Sequence, residues 1–361
     1  MKIRKIEVFP VNLKLAVPLH SAHARYNVTR DVYIKVLTDE GIVGYGATAP
    51  KFYITGETQE SVVAVLKDYL IPTVLGEDPF DLEKIHARMD KAIRYNNAAK
   101  TAIDLALHDI IGKSLKLPVY KVLGGCYRKE MAAFDLIGFV SPQEAAEIAA
   151  AKVAQGFRDL KVKVGQGEKE DLARVEAVRN AAPAAGLKVD ANQSWHPKEA
   201  VRIIREMEAF GVEVAEQPVP VGQTEGLAYV RRRVNALVMA DEAVKSIGDA
   251  MELIRAQAAD AFNIKIAKVG GLYKAKKIAA LAEAAGMPCM AGCTIENNLV
   301  DAAAAHFFAA TKNVIYNEIK APTWIIDDPA QGLVITDGMV KVPEGPGLGL
   351  VIDERLFLQQ A

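Results

Sequence analysis

Short apolar runs recur between residues 132 and 316 at intervals of roughly 25 to 30 residues, and each is followed by a stretch with helical apolar spacing. The runs are 132–139, 159–164, 187–189, 212–215, 237–240, 261–266, 288–290 and 314–316. The first helix is opened by Ser141-Pro142-Gln143-Glu144, a capping box with proline at the first helical position. Eight strand-helix units over roughly 200 residues predict an α/β fold, a (β/α)8-type barrel with its active site at the carboxyl ends of the strands. An open doubly wound sheet is the alternative. Against it, no Gly-x-Gly-x-x-Gly follows a strand, and Gly165-Gln166-Gly167 lacks the third glycine.

The flanks read differently. From residue 1 to about 50 the chain alternates as antiparallel strands, with 31–38 and 42–47 forming a hairpin around Asp39-Glu40-Gly41. Between 58 and about 116 the period becomes helical, and Pro118 closes that run. A chain of 361 residues exceeds one ordinary core, so two domains are expected. The division is an α+β capping domain over 1–125 and a barrel over 126–324, with the turn-rich tail 325–361 packing back on the cap.

Composition excludes several classes of function. With 51% apolar residues, 25% charged residues and a formal net charge of -1, nothing points to nucleic acid or an acidic membrane as partner. The runs Arg231-Arg232-Arg233 and Lys274-Ala275-Lys276-Lys277 fall in helical segments and read as solvated faces. No apolar run is long enough to span a bilayer, and the amino terminus enters an alternating strand pattern, so a cytoplasmic protein is predicted. Cys126, Cys289 and Cys293 form no disulfide framework or zinc spacing and read as small buried apolar residues. The histidines form no metal-binding pair, so any metal must be held by carboxylates, which favours a hard cation such as Mg2+.

The residues at the carboxyl end of each strand carry the chemistry. Lys161 and Lys163 lie two apart in one strand and so share a face, where like charges disfavour each other's protonated form. Taken alone, such a pair is equally at home on a solvated edge strand. The following strands end in Asp190-Ala191-Asn192, Glu216-Gln217-Pro218 and Asp241-Glu242. The sixth carries Lys265, and Glu296 follows the seventh. Asp190, Glu216 and Asp241 on consecutive strands suit octahedral Mg2+, although each by itself is an ordinary helix-capping residue. Asn192, Glu242 and Lys268 would orient these groups, Glu242 by holding a ligand or pairing with Lys265 or Lys268. Lys265 faces Lys163 across the barrel mouth, and two lysines on opposite sides of a substrate can remove a proton from one face and return it to the other. The predicted chemistry is proton abstraction from carbon next to a carboxylate, the metal stabilising the developing charge.

These residues, together with Lys161-Val162-Lys163, the stretch from Asn263 to Gly271 and the closing Pro346-Gly347-Leu348-Gly349, resemble the enolase superfamily over nearly the whole chain. Within it the chain resembles the muconate lactonizing enzyme subgroup. The resemblance implies one Mg2+ per site on Asp190, Glu216 and Asp241, with Mn2+ able to substitute. It implies Lys163 and Lys265 as acid/base groups on opposite faces, Lys161 as the neighbour that lowers the Lys163 pKa, a small-molecule carboxylate substrate and a homo-oligomer. The subgroup hosts muconate cycloisomerisation, o-succinylbenzoate synthesis, N-acylamino acid racemisation and dipeptide epimerisation. Its specificity comes from cap loops matching about 20–26 and 51–57, which puts forward Arg25, Tyr53 and Thr55 as substrate contacts beside Glu296 and Lys320. The 53–57 segment resembles that of enzymes acting on amino-acid derivatives. Where dipeptide epimerases carry Asp-x-Asp to hold an ammonium, this chain has Glu318-Ile319-Lys320, and a lysine there suits an anion. The function expected is racemisation or epimerisation of an N-acylated amino acid or dipeptide. The alternatives are a muconate-type cycloisomerase or o-succinylbenzoate synthase, and a catalytically silent metal-binding barrel.

Overall fold

The computed structural model describes the backbone of residues 1–20 and 25–359 and the side chains of 1–16 and 27–357. Strands Ile3–His20, Arg25–Thr38 and Val43–Thr48 form an antiparallel sheet, joined at its outer edge by Ile325–Ile326 from the tail. The hairpin closes where the Thr38 amide donates to the Ile42 carbonyl and Gly41 takes a φ of 80°. Helix Asn97–Leu115 lies against this sheet and is buried along most of its length, which its apolar residues on every face allow. The close approach depends on Gly46, because a Cβ there would fall on the carbonyl oxygen of Ala102.

Eight parallel strands follow: Phe134–Ile137, Asp159–Lys163, Gly186–Asp190, Val212–Glu216, Leu237–Ala240, Ala261–Lys265, Cys289–Gly292 and Val314–Asn317. Each pairs with the next in chain order, so the sheet curls into a barrel. Across the seam the Asn317 amide donates to the Ala132 carbonyl at 2.6 Å. Inside, Phe134, Val214, Met239, Ala261 and Met290 form a packed plug, so the barrel is no pore. Outside, helices bury one face each. In Pro197–Glu208 the buried Ala200, Ile203, Ile204 and Met207 repeat at helical spacing, and each large side chain contributes about 1.5–3 kcal/mol by leaving water.

The eighth unit departs from the expected pattern. After Val314–Asn317 the chain makes only one helical turn, Ala321–Trp324, before Ile325 pairs with Leu15 of the amino-terminal sheet. The segment beyond is broken by Pro329, Gly332, Gly338 and Pro343, which cannot sustain a helix. The tail then divides. Phe357 stacks on Phe9 at 4.7 Å in the amino-terminal unit, whereas Met339–Lys341 pairs with Glu130–Ala132 at the entrance to the barrel. Of the three cysteines only Cys289 is fully buried; Cys126 and Cys293 are partly exposed. Among the described residues no helix is long and apolar enough to cross a membrane.

Candidate active site

Three polar residues stand in register across adjacent strands: Lys163 opposite Asp190, and Asp190 opposite Glu216. Residues so paired project to the same side of the sheet. The Lys163 ammonium donates to Asp190 Oδ2 at 2.5 Å and to Asn192 Oδ1 at 2.6 Å. Lys161, two residues earlier, points the same way but lies deeper. Its Nζ is 2.6 Å from Glu318 Oε1, 3.1 Å from Glu216 Oε2 and 3.7 Å from Asp190 Oδ2. Burial alone would depress this ammonium, but Glu216, Glu318 and Asp190 overcome it and hold Lys161 protonated above the ordinary lysine range.

The fifth and sixth strands complete the ring. Lys265 Nζ lies 2.5 Å from Asp241 Oδ2 and Lys268 Nζ lies 2.5 Å from Asp241 Oδ1. Burial disfavours the Asp241 charge, yet these two cations keep the carboxyl far below its usual range. Burial pushes Glu216 up to about 8, a rise that Lys161 opposes and the Asp190 and Asp241 charges reinforce. Glu242 pairs with neither of the lysines offered for it. It accepts from the Asn192 amide at 3.1 Å, whereas both lysines proposed as its partners are bonded to Asp241.

The backbone around these groups is unusual. Asn192 and Gln217, just beyond two of the carboxylates, have φ of 41° and 33°, left-handed positions that non-glycine residues seldom hold. Both are secured by their own side chains. Asn192 binds Lys163 and Glu242, while Gln217 Oε1 accepts from the amides of Asp241 and Ala243 at 3.0 and 3.1 Å. Gln217 therefore fixes where the fourth and fifth strands end relative to each other. Asn263 donates to Glu216 Oε1 at 2.7 Å, occupying space left by the absent side chain of Gly292.

Above this floor opens a cavity of about 560 Å³, its mouth included. Lys161, Lys163, Lys265 and Lys320 reach it, and Tyr53, Ile295 and Trp324 form part of its rim. Lys320 is almost fully buried and lies over the Trp324 ring at 4.8 Å. Other proposed contacts do not reach the cavity wall. Thr55 donates its hydroxyl to the Lys51 carbonyl at 3.2 Å, bracing the 51–57 loop from within. Glu296 lies behind the rim, accepting from Thr294 at 3.0 Å. The Arg25 side chain falls outside the described residues. Glu318, to which the sequence assigned no role of its own, lies just past the eighth strand with Lys320, and both side chains line the cavity.

Among the described residues no three His, Cys, Asp or Glu side chains converge on one ligand position; Asp190, Glu216 and Asp241 each turn an oxygen to a lysine instead. Their chemistry nonetheless fits a hard divalent cation. The donors are carboxylate oxygens on three successive strands, burial reinforced by the like charges of Asp190 and Asp241 raises the pKa of Glu216, and Glu242 Oε2 beside them is buried without a hydrogen-bond partner.

Comparison with known proteins agrees with this arrangement. Residues 3–124 match the mandelate racemase / muconate lactonizing enzyme N-terminal domain, and 143–356 match the enolase C-terminal domain-like family. The hydrophobic dipeptide epimerase of Enterococcus faecalis is 37% identical over 97% of this chain and 99% of its own. The N-succinyl-L-Arg/Lys racemase of Bacillus cereus is 35% identical over 98% and 96%. The chloromuconate cycloisomerase CbnB of Cupriavidus necator is 33% identical over 98% and 97%. The crystal structure of the Bacillus cereus racemase superposes with a TM-score of 0.98 at 34% identity, covering 100% of this chain and 98% of that one. The Enterococcus faecalis epimerase, solved with Mg and L-Leu-L-Tyr, superposes with a TM-score of 0.94 at 37% identity, covering 97% and 100%. Barrel, strand-end residues and relatives together define an enzyme of the isomerase class. The chain belongs to the mandelate racemase / muconate lactonizing enzyme family of the enolase superfamily.

Proposed function

We propose that this protein is a Mg2+-dependent racemase or epimerase of an N-acylated amino acid or dipeptide. The observation that carries this reading is the placement of Lys163 and Lys265 on the second and sixth of eight strands, opposite each other, with both ammonium groups at one cavity. Two proton carriers on opposite faces of one carbon are what inversion of a stereocentre requires.

In this reading one lysine in its neutral form takes the α-proton on its Nζ. The other, as an ammonium, delivers a proton to the opposite face. Proton balance is kept within the pair, and reversal of roles runs the reaction backwards. Held by Asp190, Glu216 and Asp241, Mg2+ would supply the positive charge that stabilises the enediolate. Lys161, held 2.6 Å from Glu318, adds fixed positive charge beside Lys163. Asn192 aims Lys163, and the rim of Tyr53 and Ile295 limits access of water.

The purified protein with Mg2+ should be incubated in deuterated water with N-succinyl amino acids, dipeptides and cis,cis-muconate, and mass and chirality then followed. Deuterium at the α-carbon with loss of optical purity is the expected result. Turnover of muconate without α-deuterium in any amino-acid derivative would replace this reading by cycloisomerisation.

A further inference from the structure

We infer that Arg174 and Asp171 form a positioning pair for Lys163, holding the backbone at that lysine and just beyond it, and so governing one face of the reaction alone. The inference rests on the proposed function for the assignment of one lysine to each face.

Both residues lie on the helix Glu168–Ala181 that follows the second strand, three positions apart, and both are buried. Arg174 Nη1 donates to Asp171 Oδ1 at 2.9 Å and to the Lys163 carbonyl at 3.0 Å, while its Nε donates to the Val140 carbonyl at 2.9 Å. Asp171 Oδ2 accepts from the Gly165 amide at 2.6 Å and from the Gly167 amide at 3.4 Å. The pair thus grips the chain at Lys163 itself and again two residues later. Through Val140 it also ties the end of the second strand to the loop that leaves the first.

The position of Lys163 calls for such support. The ladder between the first two strands stops at Ile137 opposite Val162, so Lys163 lies past it and is paired on the third-strand side, with Asp190. Two residues on, Gly165 turns the chain at φ 115°, where a Cβ would fall on the Ser194 side chain. The ammonium of Lys163 is bonded to Asp190 and Asn192, and a divalent cation would take the first of these. Aim then depends on Asn192 and on where the backbone sets the side chain. Stability does not account for the pair, because a buried ion pair gains little over packed apolar side chains of similar volume. Its bonds to the backbone all fall at the ends of the first and second strands, whereas Lys265 stands on the sixth.

The test is α-proton exchange in deuterated water, followed separately for each enantiomer of N-succinyl amino acids and dipeptides, with the Mg2+-loaded protein as wild type, Arg174→Met and the double variant Asp171→Leu/Arg174→Met. The double variant leaves no buried charge unpaired and so guards against loss of folding. Exchange of the enantiomer that depends on Lys163, identified by its loss in Lys163→Ala, should fall roughly 10- to 100-fold, the cost of displacing a reacting group by about 1 Å. Exchange of the other enantiomer should stay at the wild-type rate. Equal loss for both enantiomers, or no loss, in a folded variant overturns the inference. Amide hydrogen exchange reads the positioning without turnover: the Gly165 amide should exchange at least about tenfold faster in the double variant, with the amides of 263–266 unchanged. Unchanged protection at Gly165 also overturns the inference. If wild type exchanges neither enantiomer, the racemase reading falls and the amide measurement alone decides the positioning.

Discussion

Gly292 and Asn263 compete for one volume: a Cβ on Gly292 would coincide with the Asn263 amide, which donates to Glu216 at 2.7 Å. Gly292→Ala should therefore push Asn263 off Glu216. The expected loss is about 1–3 kcal/mol of stability from overpacking, seen as a lower Tm. Mg2+ affinity should also fall by roughly 10- to 100-fold, because a group orienting a ligand is displaced. Adding Asn263→Ala removes the clash, so the double variant should regain most of the lost Tm. A double variant no more stable than Gly292→Ala would show that the two residues do not conflict.

Lys163→Ala and Lys265→Ala should each lower racemisation by roughly 10²- to 10⁴-fold, the usual worth of a positioned acid or base. The stronger expectation concerns isotope exchange. Each variant keeps one lysine and so should exchange the α-proton of one enantiomer without inverting it, and the two variants should select opposite enantiomers. Exchange from the same enantiomer in both would place the lysines on one face.

His306 gives a pH dependence outside the active site. Its Nδ1 accepts from the Tyr120 amide at 3.2 Å and its Nε2 donates to the Leu348 carbonyl at 3.1 Å, so the neutral ring is fully used. Burial pushes its pKa down to about 4, the Leu348 carbonyl opposing, from an ordinary 6.5. Between these values the unfolded chain binds a proton that the folded protein refuses. The contribution is complete above pH 6.5 and is lost as the pH falls toward 4, amounting to roughly 3 kcal/mol. Denaturant titrations across this window should show that loss in wild type, and His306→Gln should be flatter. Equal slopes in both proteins would contradict the assignment.

Thr29 stands where the amino-terminal unit meets the barrel rim, beside Asp31, which accepts from the Asn297 amide at 2.7 Å. Its hydroxyl donates to Asp31 Oδ1 at 2.5 Å, accepts from the Lys51 ammonium at 2.7 Å and packs 3.3 Å from the carbonyl of Ile295, a β-branched residue held at φ 64°. Such a conformation costs about 1–3 kcal/mol and persists only where its surroundings hold it. Thr29→Val should lower Tm and raise KM several-fold, since Ile295 forms part of the cavity rim, while Thr29→Ser should restore both. An unchanged KM in Thr29→Val would show that the rim is set elsewhere.

Most of the barrel was legible from short apolar runs spaced one βα unit apart, and so was the convergence of Lys163, Asp190, Glu216, Asp241 and Lys265 on one rim. Both follow from periodicity, which neighbouring residues carry. The single turn at Ala321–Trp324 was read as a full eighth helix, because a few apolar residues look alike whether they begin a helix or pair with Leu15 in another domain. Of the two roles expected for Glu242, pairing with a lysine gives way because Asp241 takes both lysines, and Glu296 lies behind the cavity wall it was expected to line. Those outcomes depend on side-chain reach and on which of several acceptors stands nearest.

By itself the sequence determined which residue types stand at the strand ends and on which face, since strand alternation and βα spacing are local properties. Only the curled sheet decided that Glu318, just past the eighth strand, reaches Lys161 of the second. That contact joins residues 157 positions apart, and nothing short of the sheet curling on itself brings their charges together.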